Sequence, residues 1–231
     1  MNLPESGPPL EIVHLWRGGP IPYPEGLELQ RSLVRLRAED AVPDTLLLLE
    51  HAPVVTHGKL ADPIHRRVDA EEMRSKGIDL FATDRGGDHT YHGPGQLVGY
   101  PIVRLEGAGR DVRSYVRTLE QVLIDVARGL GVASAGREDF HAGLWAEGRY
   151  LAAIGVRVSR GIASHGFALN VDRRVHHGFG TIVACGVSGR TVTSLEEETG
   201  RTVAMAEAAA AIEGHFPRCF GHRVADVRDR I

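Results

Sequence analysis

The chain has 231 residues, 42% of them hydrophobic and 25% charged, with a formal net charge of −3. That length buries a sizeable core, and the balance is that of a soluble globular protein rather than a nucleic-acid polycation. The longest leucine run is Leu46-Leu47-Leu48-Leu49 and no aliphatic run nears the length of a bilayer span, so no membrane span is predicted, and three prolines without a basic residue in the first ten positions argue against a secretory signal. Two cysteines, Cys185 and Cys219, are too few for a disulfide scaffold and read as reduced thiols of a cytoplasmic protein. Only two of the 27 basic residues are lysines, Lys59 and Lys76, so chemistry that needs a lysine has few candidates.

Residues 1–26, rich in proline and glycine, predict surface chain with a short strand near 11–15. Leu27, Leu29, Leu33 and Leu36 predict a helix over 27–39, and the aliphatic run after Pro43 predicts a buried strand over 45–51. A short polar helix over 70–76 should end at Gly77, followed by a strand over 78–82. Residues 97–102 read as a strand. The clearest helix spans 111–130, where Tyr115, Leu119, Val122, Leu123 and Val126 share one face. Strands are predicted at 144–145, 151–158 and 162–171, an alanine-rich helix over 202–215, and a frayed strand or tail beyond it. No repeat or long linker divides the chain. The mixture predicts a single domain over residues 1–231, of α/β or α+β class, built on a mixed sheet.

The segment 85–101 reads RGGDHTYHGPGQLVGYP, with five glycines and two prolines in 17 residues. Glycine lets the backbone approach a ligand closely, and successive amides can converge on one oxygen; a compact turn-rich surface loop has the same composition. A dinucleotide loop is disfavoured, because a strand follows Gly93-Pro94-Gly95 rather than a helix. His89 and His92 have a metal-compatible spacing, but no nearby carboxylate or cysteine pattern completes a site, so no metal is expected. In residues 151–171, Ala153-Ile154-Gly155 and His165-Gly166-Phe167-Ala168 combine small residues with apolar walls, which suits either paired strands or a slot for an apolar ligand. Cys185, beside Gly186 at the end of an apolar run, is either a buried inert thiol or a nucleophile.

These residues together resemble the lipoyl(octanoyl) transferase family. The resemblance rests on Arg85-Gly86-Gly87, Thr90-Tyr91-His92-Gly93-Pro94-Gly95-Gln96, Tyr100-Pro101, Ala153-Ile154-Gly155-Val156, His165-Gly166-Phe167-Ala168-Leu169-Asn170, Cys185-Gly186 and Val192-Thr193-Ser194-Leu195. It implies a biotin/lipoate ligase-like core: a mixed sheet with flanking helices, related to class II synthetases. It implies transfer of an octanoyl group from octanoyl-acyl carrier protein to a lysine of lipoyl domains, those of 2-oxoacid dehydrogenase complexes and of the glycine cleavage H protein. Cys185 would carry the acyl group as a thioester. No cofactor, ATP or metal is required, since a thioester is already activated, and neither nucleic acid nor membrane is a partner. The acyl pocket would be lined by Arg85, Gly86, Gly87, Asp88, His89, Thr90, Tyr91, His92, Ala153, Ile154, Gly155, Gly166, Phe167 and Ala168. Arg66, Arg67, Arg157 and Arg160 would offer a basic rim to an acidic carrier.

The sequence departs from the family pattern in three places. Where the family has a lysine that lowers the pKa of the cysteine, this chain has Tyr150, which is neutral near pH 7. Ala184 stands where the family has proline, and the stretch 172–179 differs. His165 or His92 as a base, or Lys59 or Arg149 as a cation, would then tune the thiol. The competing expectations are a divergent member that binds acyl groups or carriers with little transfer, an acyltransferase with a different acceptor, and an ATP-using ligase of the same fold, which the scarcity of lysine disfavours.

Overall fold

The structure, a computed structural model, describes residues 4–105, 111–139, 141–186 and 189–229, with Cys185 described by its backbone alone. In chain order the elements are β1 (Pro9–His14), α1 (Tyr23–Ala38), β2 (Asp44–Leu49), β3 (Val54–His57), α2 (Ala70–Ser75), β4 (Asp79–Ala82), β5 (His89–His92), β6 (Gln96–Ile102) and α3 (Val112–Gly129). They continue with β7 (Ala135–Glu138), β8 (His141–Ala146), β9 (Arg149–Ser159), β10 (Ile162–Asn170), α4 (His176–Phe179), α5 (Leu195–Thr199), α6 (Met205–Phe220) and β11 (Arg223–Arg228). Among the described residues the strands form a sheet of eight, in the order β11-β1-β2-β6-β10-β9-β8-β7, and a sheet of three, β4-β3-β5. Both are mixed: β11, β1 and β2 run parallel, while β2-β6-β10-β9-β8-β7 is antiparallel.

The aliphatic run of β2 is explained by burial on both faces. Successive strand residues point to opposite sides. Leu46 and Leu48 accordingly join the core beneath α3 and α6, whereas Leu47 and Leu49 join the core on the α1 side. On β6, Leu97 faces the first core and Val98, Tyr100 and Ile102 the second. Helix α3 presents Tyr115, Leu119, Val122, Leu123 and Val126 to the sheet, and the Asp111 carboxylate caps its first turn by accepting from the Arg113 N–H.

Several expected boundaries shift. Helix α1 begins at Tyr23 rather than 27, because Pro24 sits in its first turn, where a missing N–H costs nothing. The last helix runs from Met205 to Phe220, not 202–215: Phe216 is fully buried and stacks on Phe220, so the turn containing Pro217 persists until Gly221 ends it with φ +68°. Residues 89–92, read within a loop, form β5, which pairs with β3 from Val54↔His92 to His57↔His89. The tail is a true strand, β11, parallel to β1.

Buried Asp44 joins three distant segments. It accepts from Arg37 Nε (2.6 Å) at the end of α1 and from the Arg104 N–H (2.9 Å), and pairs with His222 Nε2 (2.7 Å) before β11. Burial alone would raise this carboxyl, but the hydrogen bonds from His222 and Arg37 outweigh it and hold its pKa below the usual value. Its contribution to stability is therefore complete above the ordinary carboxylate range and is lost as pH falls through the folded value. Asp44→Asn should destabilise the protein by roughly 3 kcal/mol at pH 7 and flatten the acid limb of its stability profile, measured by urea unfolding between pH 7 and pH 3.

Candidate functional site

A narrow cleft opens between the two sheets on the α1 side. Its floor is the β9–β10 ladder, where Ala153 pairs with Ala168, Ile154 with Phe167 and Gly155 with Gly166. Tyr23 of α1, Tyr100 of β6 and His141 of β8 complete that side. Its roof is the segment from Arg85 to Asp88 together with β5.

Arg85 fixes the roof. Its buried guanidinium donates from Nη2 to the Thr56 carbonyl (2.8 Å) and hydroxyl (2.9 Å) of β3, and from Nη1 to the Gly86 carbonyl (2.9 Å). The Gly86 N–H then donates to the Val156 carbonyl (3.0 Å), tying the roof to β9. This close approach needs Gly155, where an added Cβ would lie 3.0 Å from Arg85 Cδ, and the turn needs Gly87, with φ +83°.

Strand alternation sorts the residues that the sequence grouped together. Arg85, Gly87, Asp88, Thr90 and His92 line the cleft, as do Ala153, Ile154, Gly155, His165, Gly166, Phe167 and Ala168. Gly86, His89 and Tyr91 do not. Gly86 is spent on its link to β9. His89 and Tyr91 sit on the opposite face of β5, His89 bonded through Nδ1 to Asp88 (2.7 Å) and Tyr91 packed edge-on against Phe179. The same alternation puts His89 and His92 on opposite faces, so their spacing does not converge on a metal.

The histidines in and beneath the cleft wall are held neutral. His51 Nδ1–H donates to the Ile21 carbonyl (3.0 Å) and its Nε2 accepts from the Tyr100 hydroxyl (2.7 Å); burial pushes its pKa down to about 4. Burial also drives His92 well below the usual value, and lowers His165 although Nε2 pairs with Asp84 (2.9 Å). His92 Nδ1–H donates to Gln96 (2.8 Å), whose amide donates to Asn170 (2.9 Å), which in turn donates to the Thr193 carbonyl (2.9 Å). Four separated motif residues thus form one hydrogen-bonded chain from the cleft to the segment that follows Cys185. The buried Thr90 hydroxyl, on the cleft wall, has no partner among the described residues.

The Cys185 backbone lies in a short turn, Ala184–Gly186, anchored by the Val183 N–H donating to the His65 carbonyl (2.7 Å). Its side chain lies outside the described residues. The next residue, Gly186, touches the cleft's Asp88 end: a Cβ there would fall 2.7 Å from Asp88 Oδ2 and 3.0 Å from His65 Cε1. His65 Nδ1 pairs closely with that same Asp88 oxygen. Burial would raise the Asp88 carboxyl, but hydrogen bonds from His89 and His65 lower it. Tyr150 is buried with its ring 4.6 Å from Trp145 and 6.2 Å from His141, and its backbone pairs with Val192. Lys59 is exposed and donates its backbone N–H to the Arg85 carbonyl (3.1 Å). Arg149 is engaged by Glu198 (2.9 Å). Cys219 is remote, on α6; burial and Asp125 push its thiol up to about 11. Sequence reasoning missed Tyr23, Tyr100, His141 and His65. Tyr100 stood within the conspicuous 85–101 segment, but the other three have no local signal.

Residues 22–217 match the family described as the lipoyl protein ligase A/B catalytic domain. Among curated proteins, an octanoyltransferase of Rubrobacter xylanophilus is 46% identical over 96% of this chain and 98% of its own. The chain belongs to the octanoyltransferase family. A further octanoyltransferase, from Alkaliphilus metalliredigens, is 39% identical over 94% of this chain and 98% of its own. Among solved structures, the lipoic-acid-bound putative lipoate protein ligase of T. acidophilum superposes with a TM-score of 0.72 at 17% identity, covering 96% of this chain and 90% of its own. Lipoate-protein ligase A bound with ATP gives 0.71 at 17% identity, covering 94% and 88%. The fold is therefore the α+β, lipoate-ligase-like one that the motifs implied.

The neutral histidines His51, His92 and His165 set an acid limit. Each has a folded pKa below its unfolded value, so stability is full above pH 6.5 and is lost as pH falls from there toward the folded values. Unfolding free energy should decline between about pH 6.5 and pH 4, and Tyr100→Phe, which removes the donor to neutral His51, should cost about 1 kcal/mol at pH 7. Chemical denaturation at stepped pH reads both.

Proposed function

We propose that this protein transfers an octanoyl group from acyl carrier protein to a lysine of lipoyl domains, with Cys185 as the carrier of the acyl group. The observation that supports this most is the narrow slot walled by Ala153, Ile154, Gly155, Phe167 and Ala168, with the Cys185-bearing turn packed at its Asp88 end. An eight-carbon tail in such a slot gains about 0.8 kcal/mol for each buried CH2. The Cys185 thiolate attacks the thioester carbonyl, forming the enzyme thioester and expelling the carrier's thiolate, which takes up a proton. A neutral lysine amine then attacks the same carbonyl, forming the amide and returning the cysteine. The two protein substrates use one site in turn, and the sequence needs neither ATP nor a metal.

The thiolate requires support that Tyr150 does not supply. His65, oriented by Asp88 and in contact with Gly186, is well situated for it: a histidine fixed by a carboxylate beside a thiol activates it in the same way as the triads of hydrolases. Arg66 and Arg67 flank the strand-like contact with residues 181–182 and suit an acidic carrier at this end. Arg157 and Arg160 line a separate groove beside α1. The acceptors are the lipoyl domains of 2-oxoacid dehydrogenase complexes and the glycine cleavage H protein. No described helix is long and apolar enough to cross a membrane, and a free catalytic thiol fits a reducing cytoplasm. The whole of residues 1–231 acts as one catalytic domain.

The alternative, an acyl-binding protein with little transfer, is favoured by the burial of Tyr150 against Trp145, which removes a fixed positive charge. Intact-mass measurement after incubation with octanoyl-acyl carrier protein separates the two. Transfer predicts one octanoyl adduct, absent in Cys185→Ser, whereas binding without an adduct supports the alternative. The alkylation rate of Cys185 should have a midpoint below about 8.5, and His65→Gln should move it up toward that value. An unchanged midpoint in His65→Gln removes His65 from the mechanism.

A further inference from the structure

A groove separate from the acyl cleft borders the Cys185 turn. Ala184 lines it, together with Arg67, Ile182, Arg190, Thr191 and Val192. Gly186, two residues after Ala184, instead abuts Asp88 of the acyl cleft. The residues on either side of Cys185 thus face different spaces, and the Cys185 backbone lies between them. We infer that this groove holds the phosphopantetheine arm through which an acyl carrier protein presents its acyl group, with Arg67 and Arg190 on the phosphodiester. The inference rests on the acyl-transfer reading for the identity of the donor, and on the groove's position and charge for the site.

Thioester exchange calls for two such spaces. The carbonyl carbon carries the acyl tail on one bond and the carrier's sulfur on another, so the tail and the arm leave the reacting atoms in different directions. The tail is purely apolar and suits the cleft. The arm has two amides, a dimethyl-substituted carbon and a terminal phosphodiester, and the groove offers the same mixture: apolar wall from Ile182, Ala184 and Val192, a hydroxyl from Thr191, and two guanidinium groups.

Both arginines stand on backbone that is fixed beside the turn. The Arg67 N–H donates to the Thr181 carbonyl (2.9 Å), and its neighbour Arg66 bridges to Ile182. On the other wall the Tyr150 N–H donates to the Thr191 carbonyl (2.8 Å) and the Thr193 N–H to the Tyr150 carbonyl (3.0 Å), which holds the segment after Arg190 against the start of β9. Arg190 Nη1 meets the Gly148 carbonyl (3.3 Å), which orients its guanidinium. Among the described residues the lining holds these two arginines and no carboxylate, and its one histidine, His176, is paired with Glu197 (2.7 Å). A phosphodiester is an anion at neutral pH, and the guanidinium fork matches its oxygens. Thr181 precedes Ala184 by three residues, so at most about 10 Å of backbone separates the Arg67 anchor from the turn. The arm has the length of about four extended residues, roughly 14 Å, and covers that span.

The test uses the octanoyl thioesters of pantetheine and of phosphopantetheine, and the uncleavable thioether of each. Calorimetry with the thioethers reads binding, and intact mass against time reads acylation of Cys185 by the thioesters. In the wild type the phosphorylated thioether should bind at least tenfold more tightly than the unphosphorylated one, and at low donor concentration the phosphorylated thioester should acylate faster by a similar factor. Arg67→Gln and Arg190→Gln should each cut that preference at least threefold, and the double variant should bring it close to one. Arg35→Gln, on the groove beside α1, should keep the wild-type preference, and raised salt should shrink it. If the preference holds in binding but no thioester leaves an adduct, the arm site stands and the transfer reading fails. If Cys185 is acylated equally well by both thioesters, or the folded double variant keeps the wild-type preference, the arm site is overturned and the transfer reading stands. If neither thioether binds, the arm site is overturned as well.

Discussion

The site depends on a single buried cation. Arg85 has few ways to satisfy a guanidinium away from water, and a buried charge without partners is costly. Its hydrogen bonds to Thr56 and Gly86 meet that demand, and hydrogen bonds to a charged group are each worth about 1.5–3 kcal/mol. In doing so they clamp the glycine loop between the three-stranded sheet and the edge of β9. The slot beneath the loop exists because Gly155 lets the Arg85 side chain come close while Ala153 and Ala168 keep the floor low. Enlarging any of these small residues would fill the slot before it disturbed the sheets.

Around that clamp the polar groups are arranged to be mutually satisfied and uncharged. The His92-Gln96-Asn170-Thr193 chain and the His51–Tyr100 pair pass hydrogen bonds among themselves rather than offering them to the cleft. An apolar tail can lie beside these paired groups without breaking their hydrogen bonds. Besides Arg85, the charged groups nearby are paired: Asp88 with His65 and His89, Asp84 with Arg157.

The large elements were legible because their patterns are local. The apolar face of α3 and the aliphatic run of β2 declare themselves in any window of sequence. The glycine-rich segment and the 153–168 pairing were legible as motifs, and they do converge on one cleft. What a motif could not reveal is which of its residues point inward. His89 and Tyr91 adjoin Thr90 and His92 in sequence but face the other side of β5, and β5 itself reads as a loop because its strand character comes only from pairing with β3. Tyr23, His141 and His65 arrive from separate segments, brought in by tertiary packing that no local pattern encodes. Tyr150 was visible as an oddity, while its stacking on Trp145 was not.

The most direct measurement of the central claim is to map where a bound acyl tail lies. An octanoyl analogue with a photoreactive group at its methyl end, crosslinked and followed by peptide mass spectrometry, should label residues of the 153–168 hairpin and of α1 near Tyr23. Labelling confined to α3 and α6, on the other side of the large sheet, would contradict the account.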